Sequence, residues 1–231
     1  PLAALVAHNN DHVHRADPEH ANPRPLEGVA WHRRLVAAHG TIRAEWDHFA
    51  AAGHLPAIGD LLAEDQGNVG PWQAGLLVSG GRATELARDW FPETLAALGA
   101  VSGLRAALWS VLAPGTEIPE HCGPNGGVLR YHLGVVCPDG AALQVGDRVT
   151  PYREGEGILF DDTEPHSAWN RSDRPRVTLF CELDRPVRGP ARWENLAVQA
   201  IMGVDPRRRA VEARADEWHA TLNRGRRGRL A

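Results

Sequence analysis

The 231-residue sequence contains no lysine, so all 25 of its basic residues are arginine. Any anion the protein binds must be held by guanidinium groups, imidazoles, hydroxyls or backbone amides. Cysteine is scarce as well. Cys122, Cys137 and Cys181 are too few and of the wrong parity for a disulfide framework, and none forms a C-x-x-C pair. A reducing, cytoplasmic setting is the expectation. No uncharged apolar run approaches the ~18 residues of a membrane span, and residues 1 to 22 lack the basic-then-apolar layout of a secretory signal. A soluble protein with no membrane partner follows. Acidic residues number 29, and the resulting net charge of −4 leaves no basic field for phosphates, which argues against a nucleic-acid partner. The chain is long enough for one large domain or two small ones.

Residues 1 to 25 read as a loose polar arm without sustained periodicity. From Pro25 to Ala52, Val29, Leu35, Ile42 and Trp46 recur at roughly helical intervals, and Thr41 is placed to cap a second helix after Gly40. Residues 82 to 98 read as helical too, with Pro92 interrupting or restarting the helix. The central third differs. Short apolar or alternating runs at 104–113, 128–136, 141–153, 157–162 and 176–183 are separated by Gly, Pro, Asn and Asp, which is the spacing of an antiparallel sandwich or barrel. Helical patterning resumes after Pro186 and gives way to an arginine- and glycine-rich tail. The expected architecture is mainly β: a jelly-roll, cupin-like core over about 104–183, with helical flanks at 26–100 and 190–223, forming one domain from residue 26 to 231.

Twelve histidines invite a metal hypothesis. His8, His12, His14 and His20 fall in the polar arm, and His32, His39, His48, His54 and His219 fall on helices among charged neighbours, where solvated or interface roles suffice. His121, His132 and His166 remain, in or beside the β core, where a jelly roll displays ligands at its mouth. Two imidazoles from different strands suit Fe(II), Zn(II) or Cu(II). Arg176, ten residues past His166, opens a strand that can bring its guanidinium alongside such a metal and clamp a carboxylate with two parallel hydrogen bonds. That combination suggests an oxygenase fed by a 2-oxo acid. A jelly-roll module that binds a small acid without catalysis, and a cupin-type metal enzyme that does not use 2-oxoglutarate, are the alternatives.

The joint pattern PGT (114–116), HCGP (121–124), LRYHLG (129–134), FDDTEPH (160–166) and the arginine ten residues later resembles the aspartyl/asparaginyl β-hydroxylases. These are Fe(II)- and 2-oxoglutarate-dependent oxygenases with a double-stranded β-helix core. The resemblance implies that His121 and His166 are the two iron ligands. It also implies that Arg176 pairs with the distal carboxylate of 2-oxoglutarate, that Ser110 assists, and that His132 contacts the cosubstrate near the metal. Arg130, on the same strand face as His132, is similar to an arginine that meets a substrate carboxylate, and Trp72 to an aromatic at the cosubstrate pocket.

Most non-heme iron oxygenases place an acid two residues after the first histidine, and here that position is Gly123. The glycine is part of the pattern in the family this chain resembles. Glu120, Asp161, Asp162 or Glu164 could supply a third ligand instead, although Asp161 and Asp162 are better suited to orienting neighbouring groups or capping a turn. A soft ligand at Cys122 would favour Zn(II) or Cu(I). The implied cofactor set is Fe(II), 2-oxoglutarate and O2. The implied partner is a small-molecule amino acid, or an amino-acid residue of a peptide or carrier-bound substrate, hydroxylated at an unactivated carbon such as the β-carbon.

Overall fold

Alternation along strand β10, Arg176–Asp184, divides the molecule into two cores. Val177, Leu179, Cys181 and Leu183 face a helical layer, whereas Arg176 and Phe180 line the space between two sheets. A period of two sends successive side chains to opposite faces, so one strand serves both cores. The computed structural model of the protein describes residues 2–63 and 67–230, with backbone alone for 225–230.

The larger sheet runs in the order β2 (Arg82–Ala83), β1 (Trp72–Ser79), β3 (Leu104–Leu112), β10, β5 (Val128–Val136), β8 (Gly157–Phe160), antiparallel throughout. The smaller sheet runs β4 (Thr116–His121), β9 (His166–Asn170), β6 (Ala141–Val145), β7 (Arg148–Pro151), also antiparallel. Between them lies an inner core with Leu112, Ile118, Leu143, Tyr152, Ile158 and Phe160. This is a jelly roll, the double-stranded β-helix of cupin-like proteins.

The outer face of the large sheet packs against α2 (Ala30–Ala37), α3 (His39–Ala52), α5 (Glu85–Trp90) and α6 (Pro92–Leu98). Ile42, Trp46 and Phe49 recur at helical spacing and are buried on α3, where Trp46 meets Trp109 with ring centroids 5.0 Å apart. Pro92 does restart the chain: Trp90 ends α5, and Pro92 occupies the first turn of α6, where its missing N–H costs nothing. Thr41 does not act as a cap, because α3 begins at His39 and absorbs Gly40 and Thr41 into its first turn. The remaining helices are the short α4 (Ile58–Leu62) and, after the last strand, α7 (Pro190–Gly203) and α8 (Pro206–Leu230). Among the described residues no helix is long and apolar enough to cross a membrane.

The flank read as helical over 26–100 instead contributes β1 and β2 to the large sheet, and α5 begins only at Glu85, after the Thr84 cap. The N-terminal arm differs most from the sequence reading. Leu2–Ala16 forms helix α1, which packs against α7. Its buried stripe is Val6, Asn9 and Val13, and a buried asparagine in the middle hides the period from any search for apolar residues. Asn9 Nδ2 donates to Asn195 Oδ1 on α7 at 2.9 Å, so its amide nitrogen is met across the helix pair, while its Oδ1 is buried without a partner.

Candidate active site

Strands β4 and β9 pair so that His121 lies directly opposite His166. Ile118 and His121 are an odd number of residues apart, yet both line the same cavity, because the register slips between them and turns His121 inward. The two ring centroids are 4.1 Å apart. Each Nδ1 sits 2.9 Å from the carbonyl two residues earlier, Pro119 for His121 and Glu164 for His166. A carbonyl only accepts, so each Nδ1 carries the proton and each Nε2 keeps its lone pair. That is the tautomer of a metal-ligating histidine with its partner in place. Burial lowers the pKa of His166 and keeps it neutral. A facing pair of imidazoles of this kind fits a divalent iron or zinc ion.

Gly123 explains the acid missing from its own position. A Cβ there would lie 2.3 Å from Asp162 Oδ2 and 2.4 Å from its Cγ, so the Asp162 carboxylate occupies the space a side chain would need. The Gly123 N–H also donates to the Asp162 carbonyl at 2.6 Å. Asp162 Oδ2 accepts from Arg130 Nε at 2.7 Å, while Oδ1 is buried without a partner. The free oxygen is an acceptor available to a water or ligand in the cavity. Asp161 has a different task. Its Oδ1 accepts from Thr163 N and Oγ1, closing the turn before β9, and its Oδ2 meets Arg185 and His14. Arg185 holds the Asp161 carboxyl below its ordinary value against the upward pull of burial.

At the far end of the cavity Arg176 is 1% exposed. Its Nη1 donates to Thr178 Oγ1 at 2.7 Å, its guanidinium lies 4.9 Å from the Tyr152 ring centroid, and its Nε is buried without a partner. No ion pair to Arg176 occurs among the described residues, whereas the other buried arginines, Arg24 with Asp17 and Arg185 with Asp17 and Asp161, have acids beside them. Burial of this lone cation pulls its pKa down. Beside it, Trp72 Nε1 donates to Ser110 Oγ at 3.1 Å, leaving the Ser110 hydroxyl proton free to donate. His132 Nδ1 lies 2.9 Å from the Tyr152 hydroxyl, and its Nε2 is buried without a partner. Burial, then the nearby Arg176 charge, holds His132 well below the ordinary imidazole value, so it is neutral.

All seven residues singled out in the sequence, Trp72, Ser110, His121, Arg130, His132, His166 and Arg176, line one cavity of about 190 Å³. Arg130 is the one of the seven with carboxylate partners. Its Nε meets Asp162 and its Nη1 meets Glu182, and despite burial these two carboxylates raise its pKa. Sequence reasoning missed Tyr152, Thr178, Phe160 and Phe180. Thr178 had a signal, since it follows Arg176 by two on one strand. Tyr152 is one of only two tyrosines in the chain.

Residues 37–186 match the family model described as aspartyl/asparaginyl beta-hydroxylase. The chain belongs to the aspartyl/asparaginyl β-hydroxylase family. Its curated relatives are hydroxylases. The ornithine lipid ester-linked acyl 2-hydroxylase of Rhizobium tropici is 34% identical over 177 residues, 74% of this chain and 63% of that protein. The mouse aspartyl/asparaginyl beta-hydroxylase is 30% identical over 148 residues, 61% of this chain and 20% of that protein. The chain thus spans less than two thirds of either relative. Among solved structures, a cupin 2 conserved barrel domain protein from Salinispora arenicola aligns with 64% of this chain and 90% of its own, at 13% identity and a TM-score of 0.37.

Proposed function

We propose that the protein is an Fe(II)- and 2-oxoglutarate-dependent dioxygenase that hydroxylates an unactivated carbon of an amino acid, or of an amino-acid residue in a peptide or carrier-bound substrate. The observation that carries the reading is Arg176, a buried cation with no acid beside it in a cavity that also holds two metal-competent imidazoles. Leaving a charge buried and unpaired costs several kcal/mol, which a carboxylate ligand offsets.

His121 and His166 would hold the iron through Nε2. Bound iron, with 2-oxoglutarate and O2, would supply the oxidising chemistry, coupling decarboxylation of the cosubstrate to hydroxylation. The chain's own residues bind and orient. Arg176 grips the distal carboxylate, with the Ser110 hydroxyl donating beside it. With the Tyr152 hydroxyl donating to Nδ1, His132 carries its proton on Nε2 and turns that donor toward the bound anion. Asp162 Oδ1, buried without a partner, would be free to accept a hydrogen bond from a ligand or water in the cavity. Phe160, Phe180, Ile118 and Leu143 wall the cavity and keep bulk water away.

A second reading, hydroxylation of an acyl chain, is favoured by two observations. A relative matched over 74% of this chain is named an acyl 2-hydroxylase, and Arg130 already holds two carboxylates, which reduces the need for an acid on the substrate. Anaerobic protein loaded with Fe(II) and 2-oxoglutarate, then given O2 with amino acids, peptides or acyl lipids, discriminates the readings. Succinate release and a product heavier by one oxygen identify the substrate class. Protein that neither binds 2-oxoglutarate nor turns it over, even uncoupled, refutes the dioxygenase assignment.

A further inference from the structure

We infer a second metal site, remote from the cavity and independent of the reading above, formed by His8, His12 and Glu194 and suited to a zinc-like divalent ion. His8 and His12 are four residues apart on α1 and therefore share a face, with ring centroids 4.3 Å apart. Glu194 reaches them from α7. Its Oε1 is 3.5 Å from His8 Nε2 and its Oε2 is 2.6 Å from His12 Nδ1. One donor atom from each of the three residues lies within 4.8 Å of the other two.

Ligands about 2.0 to 2.1 Å from a tetrahedral zinc lie about 3.3 Å apart. The His8 to Glu194 edge is close to that length already. The shorter His12 to Glu194 contact is a hydrogen bond whose proton an ion would displace, and the fourth position is left to water. Two imidazoles and a carboxylate, with no thiolate, select zinc, cobalt or nickel over softer ions. The site is also preorganised. Asn9 and Asn195, the residues immediately after His8 and Glu194, are buried and hydrogen-bonded to each other, which fixes the helix spacing at this turn.

The ion would clip α1 to α7, and α1 in turn holds both loops that flank the candidate active site. Asn10 Nδ2 donates to Pro124 O at 2.9 Å and its Oδ1 accepts from Gly126 N at 2.7 Å, beyond His121. His14 Nε2 lies 3.1 Å from Asp161 Oδ2, before His166. The clip therefore braces the strap that crosses the two histidine loops.

Tag-free protein carrying His121→Ala and His166→Ala, titrated with Co(II) alone, tests the site. One equivalent is expected, with visible bands of tetrahedral cobalt, and adding His8→Ala should weaken it by about tenfold or more. Zn(II) should displace the cobalt and slow proteolysis within α1. In parallel, His8→Ala or Glu194→Gln should take one equivalent of Co(II) fewer than the wild-type chain, a comparison that stands if the double variant does not fold. His8 is exposed, so its replacement leaves the fold intact. No cobalt in the double variant together with a single equivalent in the wild-type chain overturns the inference. So does cobalt binding that survives both His8→Ala and Glu194→Gln.

Discussion

Arg176 and His132 are buried with polar atoms that nothing in the described residues meets, and each has a measurable consequence. Replacing Arg176 with Met removes a desolvated cation that nothing in the folded chain neutralises, and fills its volume with an apolar stem. Thermal stability should hold or rise, while 2-oxoglutarate binding weakens about a hundredfold, the loss of a charge-assisted pair worth about 1.5–3 kcal/mol. Calorimetry and thermal melting on one sample separate the two. A variant that loses stability yet keeps its affinity sinks the assignment. For His132, burial and the Arg176 charge depress the folded pKa, whereas the unfolded residue titrates near 6.5. Below that value the unfolded chain binds more protons than the folded one, so stability is complete above about pH 6.5 and drains away as pH falls through the folded value. His166, also lowered by burial, adds in the same direction. His132→Asn should flatten the fall in melting temperature between about pH 7.5 and 5. An unaltered slope would assign that pH dependence elsewhere.

At the scale of elements, the strands legible in the sequence are those whose two faces differ. β10, β5 and β3 alternate between helix-facing apolar residues and cavity-facing polar ones, and the runs at 176–183, 128–136 and 104–113 announce them. β4 and β9 were not legible, because Pro119 and the slipped register break the alternation in one and the other has only five residues. The motif spacing nonetheless singled out His121 and His166, which the paired strands bring face to face. α1 hides behind its buried Asn9. The glycine in HCGP was legible as an absence, and only the coordinates show that a neighbouring loop uses the space. Gly123→Ala tests that packing. Its methyl group would meet an Asp162 carboxylate pinned by Arg130, so destabilisation of about 1–3 kcal/mol is expected, together with weaker metal binding. Denaturant titration and metal competition would measure both, and a neutral substitution would mean the two loops can separate freely.

Across the whole molecule the two sheets are unequally supported. The large sheet, which carries Ser110, His132 and Arg176, is backed by a layer of aromatic residues from α3, α5 and the link to α6, with Trp46, Phe49, Trp90 and Phe91 packed toward Trp109. The small sheet, which carries both metal-competent histidines, has an outer face of Glu117, Gln144, Ser167 and a Trp169 stacked under Arg171. Opening free energies follow buried apolar contact, so the anion end of the cavity should be rigid before any ligand arrives while the metal end is comparatively loose. Hydrogen exchange makes this quantitative. In metal-free protein the amides of β3, β5 and β10 should exchange near the rate set by global unfolding, and those of β4 and β9 faster. A metal at about one hundred times its dissociation constant stabilises the bound form by about 2.7 kcal/mol. Protection in β4 and β9 should therefore rise by up to about a hundredfold, with little change in the already slow amides of the large sheet. Equal protection of both sheets without metal, or a gain confined to the large sheet, would contradict the division of labour between a prebuilt carboxylate end and a metal end that tightens on loading.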